Sequence, residues 1–451
     1  MNNLLLLIAL SLSFTICKAQ NVTIPDANFK AYLVGNTSIN TNSDAEIQLS
    51  EATSFTGSIN CANKSIASIS GIEVFIKITQ LDCSFNNLTS MNVSKNVVLT
   101  KINCGNNKLT SLDMSQNTGL TELRCGNNQL ASLDVSKNTV LTTFYCPSNK
   151  LTLLDVSKNT ALTTLFCVTN QLTVLDLTKN TALIELYCFE NKLTALDMSK
   201  NAALDKLECY DNKITSLDVS KNAALDKLEC FNNKLPSIDL SKNTALTYFS
   251  CNYNALTSLD LSKNTALSRL FCSFNQLASM DVSKNIALND FECKDNQLKS
   301  LDASKNTALT GLFCNGNQLT ELNIKNGHND LLSLDATSNS KLTCIQVDDA
   351  SATHSGWVKD VTAKYNNDCG FTSGVEASTL DEVKIYPNPV SEKLFFSQLS
   401  NVTMYNTIGE IVGNWKEITS IDMSKFVAGM YVVIITNNNS GEIRMSKISK
   451  N

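Results

Sequence analysis

The sequence predicts a mainly β fold: a parallel-sheet solenoid with caps, followed by a small β-sandwich domain at the C-terminal end. Three observations support this fold class, namely a strict 21-residue period, two short alternating apolar segments in each period, and a change of composition near residue 370. A fixed period of this length is typical of solenoids, in which each repeat packs only against its neighbours. The period is marked most clearly by cysteines, at Cys83, Cys104, Cys125, Cys146, Cys167, Cys188, Cys209, Cys230, Cys251, Cys272, Cys293 and Cys314.

Length and charge narrow the classes of function. The chain has 451 residues, is 43% hydrophobic and carries a formal net charge of −5. Nucleic acid binding requires clustered Lys and Arg on one face, whereas each lysine of the repeat is accompanied by an aspartate. The sequence also contains no phosphate loop and no glycine-rich dinucleotide turn. We therefore expect no nucleic acid partner and no cofactor.

The first residues are typical of an export signal. Leu4 to Ile16 are nearly all apolar but too few to span a bilayer. Small residues at Cys17 and Ala19 predict cleavage after Ala19, so residues 1–19 are a predicted signal peptide. Cys17 could instead anchor a lipoprotein, although Ile16 is bulky where such a signal needs a small residue. No later segment is long and apolar enough to be transmembrane.

Residues 20–77 should form an N-terminal cap, because an open solenoid otherwise exposes its core and its strand edges. The segment from Ile24 to Leu33 predicts a short capping helix that starts at Pro25 or Asp26. After it, residues 59–75 predict an imperfect first repeat that contains Cys61.

Each repeat consists of two similar halves. In residues 162–182 the first half places Leu165 and Cys167 inward and the second half places Leu175 and Leu177 inward, because alternate residues of an extended segment share a face. An asparagine follows each half, and its amide can bond the free backbone groups of the turn. Neither half is long enough for a helix, so the repeat should be almost entirely strand and turn.

The cysteine column is predicted to be core and not crosslinked. Equivalent residues on neighbouring parallel strands point the same way, so the sulfurs lie ~4.8 Å apart, whereas a disulfide requires ~2.05 Å. A single column cannot surround a tetrahedral metal ion either. We expect these cysteines to be small buried apolar side chains, which are poor nucleophiles.

The repeat LxxLxCxxNxLxxLDVSxNxx, over residues 78–324, resembles the nested 21-residue subclass of bacterial leucine-rich repeats. The resemblance implies an open solenoid with a parallel sheet on one face. It also implies that the protein binds other proteins or glycans and has no enzyme activity.

Residues 325–370 are predicted to be the C-terminal cap, with a last half-repeat from Leu331 to Val347. Cys344 and Cys369 fall outside the 21-residue register. Disulfides persist in the oxidising compartments to which exported proteins go, and these two cysteines form an even number, so we predict that they form a disulfide with each other. The two histidines, His328 and His354, lie in this region without evident catalytic or metal-binding partners, and we expect them in surface loops.

Residues 371–383 are predicted to be a linker, and residues 384–451 contain short alternating runs separated by turn residues, as in a small β-sandwich. The motif Tyr386-Pro387-Asn388-Pro389, together with Gly429-Met-Tyr431 and a basic end, resembles the type IX secretion sorting domain of Bacteroidetes. The resemblance implies export through the outer membrane by the type IX machinery and removal of the domain, with the product either released or attached to the cell surface.

An aspartate column runs through the second half of the repeat. Its Asp-x-Ser-x-Asn pattern lacks the glycine and the distal glutamate of a calcium loop, so we expect turn-stabilising Asp–Ser bonds and Asp–Lys pairs, with calcium as an open alternative and no other metal predicted. The column comprises Asp113, Asp134, Asp155, Asp176, Asp197, Asp218, Asp239, Asp260, Asp281 and Asp302.

The positions beside each cysteine should face outward on the sheet and vary from repeat to repeat. Many hold aromatic residues, and a patch of exposed aromatic residues often marks a binding surface. A self-supporting ladder of stacked rings, or a dimer contact, is the alternative. The predicted ligand-binding residues are Tyr145, Phe166, Tyr187, Phe189, Tyr210, Phe231, Tyr248, Phe271 and Phe313.

These observations predict an exported or cell-surface, non-enzymatic binding protein that recognises a protein or a glycan through the outward sheet face. The alternative is a self-associating structural or adhesive surface protein.

Overall fold

The computed structural model describes residues 20–370, 385–386, 388–407, 409–436 and 443–451. The predicted signal peptide and the predicted linker lie outside these residues. The chain divides into two compact units, Met1–Cys369 and Gly370–Asn451. Within the described ranges, no helix combines the length and apolar character needed to cross a bilayer.

The first unit begins with two short helices, α1 (Ala27–Val34) and α2 (Leu49–Ser54). Asp26 caps α1, because its Oδ1 accepts the N–H groups of Asn28 and Phe29 at 3.0 and 2.9 Å. Its Oδ2 accepts N–H groups of Ala67 and Ser68, which ties the helix to the first repeat. The capping helix is thus confirmed with Asp26 as its N-cap, while α2 was not predicted.

The rest of this unit consists of short strands, most of them three residues long, joined by turns and by two 3-10 helices, Ile72–Val74 and Asn329–Leu331. In chain order they are β1 (Ser58–Asn60), β2 (Gln80–Asp82), β3 (Lys101–Asn103), β4 (Glu122–Arg124), β5 (Thr143–Tyr145), β6 (Thr164–Phe166), β7 (Glu185–Tyr187), β8 (Lys206–Glu208), β9 (Lys227–Glu229), β10 (Tyr248–Ser250), β11 (Arg269–Phe271), β12 (Asp290–Glu292), β13 (Ser300–Asp302), β14 (Gly311–Phe313), β15 (Glu321–Asn323), β16 (Ser333–Ala336), β17 (Cys344–Gln346), β18 (Val358–Lys359) and β19 (Lys364–Asn366).

Fifteen of these strands form one parallel sheet, in the order β1 to β12, then β14, β16 and β18. Each strand pairs in register with its equivalent one repeat later, so that Tyr145 lies beside Phe166, and Phe166 beside Tyr187. This confirms the predicted parallel-sheet solenoid.

The second halves of the repeats form a sheet only near the end of the unit. There β13, β15, β17 and β19 pair in a four-stranded parallel sheet. In earlier repeats the second half buries its apolar residues, such as Leu175 and Leu177, without a strand.

The solenoid continues past the predicted last half-repeat. Val358–Lys359 and Lys364–Asn366 add one further strand to each sheet, in register with Asp335 and Gln346. The 21-residue spacing breaks here because the connecting loops change length: Val358 pairs with Asp335, 23 residues earlier, and Lys364 pairs with Cys344, 20 residues earlier. The backbone pairing of the strands is preserved. The expectation that the repeats end at Val347 was therefore wrong.

A continuous core fills the first unit. In the repeat of residues 162–182 the side chains of Leu165, Cys167, Leu172, Leu175 and Leu177 are buried. Each repeat places its apolar residues against the same positions of its neighbours, so the core is built one layer at a time.

Two columns of buried asparagines connect the layers. In the first column, Asn170 Nδ2 donates to the carbonyls of Cys146 and Cys167, and its Oδ1 accepts the Leu151 N–H. In the second column, Asn180 Nδ2 donates to the carbonyls of Val156 and Asn159 at 3.0 and 2.9 Å. These bonds add a partner to buried backbone carbonyls at the two corners of each repeat, and in the second column the same carbonyls also accept a backbone N–H, from Asn159 and Leu162.

The second unit is an antiparallel sheet of β20 (Ile385–Tyr386), β21 (Lys393–Tyr405), β22 (Ile411–Asp422), β23 (Gly429–Thr436) and β24 (Ile443–Lys450). The order is β20-β21-β23-β24, with β22 also paired to β21. The predicted small β-sandwich thus takes the form of one connected five-stranded sheet in the described residues. A separate apolar core lies on it and includes Val390, Leu394 and Val433.

Candidate binding face

The outward side of the fifteen-stranded sheet is set by the alternation within each strand. In β5 the ring of Phe144 is fully buried, while Thr143 and Tyr145 on either side of it are half-buried and point outward. The next residue, Cys146, points inward again. Each repeat therefore contributes one outward residue before its cysteine and one after it, which we call the first row and the second row.

Six of the predicted aromatic residues form a continuous chain of ring contacts in these two rows. In the first row, Phe166 contacts Tyr145 at 5.5 Å and Tyr187 at 5.0 Å between ring centroids. Phe166 also meets Phe189 of the second row edge to face at 6.1 Å. The second row then stacks Phe189, Tyr210 and Phe231 at 4.1 and 4.2 Å, with planes 11° and 10° apart. We call these six residues the ring ladder.

The other three predicted residues lie on the same sheet but outside the ring ladder. Tyr248 and Phe271 contact each other at 5.5 Å. Phe313 lies two strands further on, and its ring is faced by the Lys294 ammonium, 4.7 Å from the centroid. All nine predicted residues are thus half-buried on the outward side of the sheet, but they form three groups.

Charged residues surround the rings. The Lys227 ammonium lies between the carboxylates of Glu208 and Glu229, at 2.8 and 2.7 Å, and 5.1 Å from the centroid of the Tyr248 ring. Burial alone would lower the pKa of Lys227, but its bonds to Glu208 and Glu229 raise that pKa above its ordinary value. The ammonium is therefore firmly protonated at neutral pH.

Tyr210 has the most perturbed phenol of the ring ladder. Burial, followed by the negative charges of Glu208 and Glu229 and then of Glu190 and Asp211, raises the pKa of Tyr210 to about 12. Four carboxylates therefore act on one ring, and the phenol remains protonated and able to donate a hydrogen bond.

Tyr253 and Phe274, which the sequence places close to the aromatic positions, were not among the predicted ligand-binding residues, yet they form the most exposed ring pair of this face. Tyr253 and Phe274 stack at 4.2 Å and are 53% and 39% exposed. Both have positive φ, 53° and 56°, at a position where other repeats mostly have Asn, Asp, Ser or Thr. An aromatic residue in such a column is unusual for left-handed backbone, and this departure was the signal that could have identified them.

The cysteine column is part of the core. Its twelve thiols, and that of Cys61, which aligns with Cys83, are free and buried. Burial raises the pKa of Cys125, Cys167 and Cys209 to about 12, so these thiols are protonated and unreactive at neutral pH. Cys344 and Cys369 form a disulfide, which ties β17 to the residues that follow β19.

The aspartate column stabilises turns. Asp155 Oδ1 accepts the Ser157 N–H at 2.9 Å, and this bond is the main reason why the pKa of Asp155 lies below its ordinary value. The same bond recurs from Asp113 to Asp302. Among the ion pairs between described residues none involves this column, so the expected Asp–Lys pairs do not form.

The two histidines make different contacts. His328 is exposed, and its N–H donates to Asn326 Oδ1. His354 stacks on Trp357 at 4.2 Å and meets Tyr365 edge to face at 4.7 Å. These contacts account for His354 as part of an aromatic cluster in the last repeats.

Part of the predicted sorting motif is described. Tyr386 belongs to β20, and Pro387 lies outside the described residues. Asn388 Nδ2 donates to the Lys447 carbonyl at 2.9 Å, and Asn388 Oδ1 accepts the Ser449 N–H at 2.9 Å. Asn388 thereby connects the segment between β20 and β21 to the last strand, β24.

Comparisons with known proteins identify the two parts of the chain. The family model described as "Secretion system C-terminal sorting domain" matches residues 384–450. Such a domain indicates export to the outer surface or secretion. Among curated proteins, none matches the chain significantly.

Several solved structures are similar. The functional domain of InlJ from Listeria monocytogenes, described as including a cysteine ladder, is 28% identical with a TM-score of 0.64, and the match covers 96% of this chain and 99% of that one. The internalin InlF from the same organism is 23% identical, with a TM-score of 0.60 and coverages of 74% and 98%. A leucine-rich-repeat protein of Leptospira interrogans is 20% identical, with a TM-score of 0.59 and coverages of 70% and 93%.

The repeats therefore form a leucine-rich-repeat solenoid with a cysteine ladder, and residues 384–450 belong to the secretion system C-terminal sorting domains.

Proposed function

We propose that this protein is an exported, non-enzymatic binding protein that recognises a protein or a glycan through the ring ladder and the residues around it. One observation carries the proposal: six aromatic rings form a continuous chain of contacts on the outward side of the sheet. Aromatic residues dominate binding energy at interfaces, because they bury a large apolar area at a low cost in side-chain entropy.

The rigidity of the face supports the proposal. Its first-row rings lie on strands that pair in register, its second-row rings follow directly after such strands, and neighbouring rings restrict one another. Such a surface loses little conformational entropy when a ligand binds. The sorting domain supports the location of the proposed interaction, since it delivers the chain to the outside.

An array of glycans and extracellular proteins tests the proposal. We expect a ligand of the wild-type protein to lose binding in the variants Phe166→Ser, Tyr187→Ser and Phe231→Ser. Matched controls are Leu153→Ser and Val174→Ser, which remove apolar side chains that are 67% and 61% exposed outside the ring ladder. If the ring variants bind as well as the wild type does, the site assignment is wrong.

Self-association is the second candidate function. The half-buried chain of rings on one face favours it, because an apolar strip of this kind can pack against the same strip of a second copy. Size-exclusion chromatography with light scattering distinguishes the candidates: a monomer at high concentration counts against self-assembly.

A further inference from the structure

We propose that the part of this face around Phe189, Tyr210 and Phe231 docks a basic segment of a partner protein, with Glu190 and Asp211 receiving a Lys or Arg head group. This inference rests on the proposed function and specifies the chemistry of the partner. The rings would pack against the aliphatic stem of the basic side chain while the carboxylates bind its charged end.

The chain's own cations show how this face holds a positive charge. Lys227 lies between two carboxylates beside the Tyr248 ring, as described above. Lys294 pairs with Glu292 at 3.0 Å and faces the Phe313 ring. Arg124 pairs with Glu122 and lies 4.3 Å from the centroid of the Tyr145 ring. A cation held by a carboxylate next to a ring is therefore a repeated arrangement here.

The carboxylates on the other side of the stack lack such a cation. Glu190 Oε2 accepts a hydrogen bond from the Thr169 hydroxyl at 2.8 Å, and Asp211 Oδ1 accepts one from Asn232 Nδ2. Both donors are neutral. None of the ion pairs formed by described residues involves Glu190 or Asp211. The stack thus has a neutralised side at Lys227 and an unneutralised side at Glu190 and Asp211.

The wider face has the same sign of charge. From β7 to the turn after β12, we count the positions three and one residues before each cysteine and one and two residues after it; there carboxylates outnumber cations two to one. The carboxylates are Glu185, Glu190, Glu208, Asp211, Glu229, Asp290, Glu292 and Asp295, and the cations are Lys206, Lys227, Arg269 and Lys294. An excess of one sign steers a partner of the opposite sign and rejects partners of like charge.

Ring orientation favours a protein over a glycan at this place. A sugar ring stacks on an exposed aromatic face, but Phe189 and Phe231 cover both faces of Tyr210, at 4.1 and 4.2 Å. A partner approaching this stack meets ring edges, which suit the methylene groups of Lys and Arg, with the two carboxylates beside them.

Fluorescence anisotropy with labelled peptides of equal length tests the inference. The peptides are arginine-rich, neutral Gly/Ser-rich and glutamate-rich. The test variant is Glu190→Gln with Asp211→Asn, which removes two charges and keeps the rings. The control is Glu321→Gln with Asp330→Asn, which makes the same change of net charge at two exposed positions off this face.

We expect the arginine-rich peptide to bind the wild type more tightly than the other two, and the test variant to weaken that binding about fivefold or more, since each solvent-accessible ion pair contributes up to ~1 kcal/mol. The control should bind as the wild type does. An arginine-rich peptide that binds no better than the neutral one, or equal weakening in test and control variants, would overturn the inference.

The array experiment separates this inference from the proposed function. If a ligand no longer binds the ring variants but still binds the Glu190→Gln, Asp211→Asn variant, the proposed function is supported and the inference of a basic partner is overturned. The same conclusion holds if that ligand is a glycan. A ligand that all these variants retain overturns both.

Discussion

The rings of Tyr210 and Phe231 stack with their centroids 4.2 Å apart and their planes 10° from parallel. The two residues are equivalent positions in consecutive repeats, 21 residues apart, and each lies two residues after the end of its strand, β8 or β9, in a sheet whose strands are ~4.8 Å apart. The ring spacing is thus set mainly by the sheet, and the rings tilt only slightly to reach contact. A repeat that places the same outward residue type in consecutive coils creates such a stack without any further sequence signal.

The stacking energy can be measured by a double-mutant cycle. We expect Tyr210→Ala and Phe231→Ala to show a coupling of about 0.5–1.5 kcal/mol in the free energy of unfolding, since aromatic pairs contribute about that much beyond their buried area. Urea denaturation followed by circular dichroism gives the values. The pair Tyr145→Ala and Phe231→Ala, whose rings do not touch, should show additive effects, and equal coupling in both cycles would contradict the ladder.

The second asparagine column should be essential for stability. Asn180→Ala removes two hydrogen bonds and leaves the carbonyls of Val156 and Asn159 without their side-chain partner. Both carbonyls keep a backbone partner, the N–H groups of Asn159 and Leu162. We therefore expect a loss of about 1–3 kcal/mol in the free energy of unfolding, because each of the two lost hydrogen bonds contributes about 0.5–1.5 kcal/mol. The neighbouring exposed residue provides the control, Thr181→Ala. Similar urea midpoints for the two variants would show that the column is dispensable.

Much of this arrangement follows from the sequence, and the exceptions have physical reasons. Alternation predicted that Leu165 and Cys167 are inward and that Phe166 is outward, because side chains of a strand alternate between faces. It could not predict that Phe166 meets Phe189 of the other row, since that contact depends on side-chain rotamers. Alternation also does not decide whether a buried segment forms a strand, which is why Leu175 and Leu177 are buried outside any strand.

The end of the solenoid was harder to predict for a different reason. Period detection relies on constant spacing, whereas the loop before Val358 is longer and the loop before Lys364 is shorter than in the regular repeats, while the backbone pairing continues. The strand register survives an insertion in a loop, whereas the sequence period does not.

The number of reactive thiols tests directly whether the cysteine column is crosslinked. In the described residues, thirteen cysteines are free and buried, and Cys344 and Cys369 are bonded. We expect no reaction with a thiol reagent in the native protein at neutral pH, thirteen reactive thiols after denaturation without a reductant, and two more after reduction. Few or no thiols in the denatured, unreduced protein would mean that the ladder is crosslinked.

Alkaline pH should destabilise the solenoid. The pKa of the Cys125, Cys167 and Cys209 thiols is raised by burial from 9.0 to about 12, so the folded state keeps protons that the unfolded state has lost between these values. The contribution of these thiols to the free energy of unfolding is complete below pH 9 and is lost as the pH rises towards 12. The free energy of unfolding falls by at most about 1.4 kcal/mol per pH unit for each thiol.

Urea denaturation at pH 8, 9 and 10 measures this effect. We expect the triple variant Cys125→Ala, Cys167→Ala, Cys209→Ala to be less stable than the wild type at pH 8. Its free energy of unfolding should, however, fall less steeply as the pH rises. Parallel declines in the variant and the wild type would show that these thiols do not cause the alkaline loss.

Acid should weaken the turns that follow each second half-repeat. The N–H of Ser136, Ser157 or Thr178 donates to Asp134, Asp155 or Asp176, and this bond places the pKa of each carboxyl below its ordinary value of 3.8. A lowered pKa in the folded state means that the contribution to stability is complete above pH 3.8 and is lost as the pH falls through the lower, folded-state value. We therefore expect the melting temperature to fall as the pH is lowered from 5 to 2.5.

The matched variant is Asp134→Asn, Asp155→Asn, Asp176→Asn. An asparagine can accept the same turn hydrogen bond but does not titrate, so this variant should fold and should show a flatter dependence of melting temperature on pH than the wild type. The slopes are compared by differential scanning calorimetry at fixed ionic strength, because screening also changes with salt. Since three carboxylates of the column are removed and the others remain, the slope should decrease but not vanish. If the slope of the variant equals that of the wild type, the acid sensitivity arises from carboxylates elsewhere in the chain, and the turn bonds of the aspartate column do not control it.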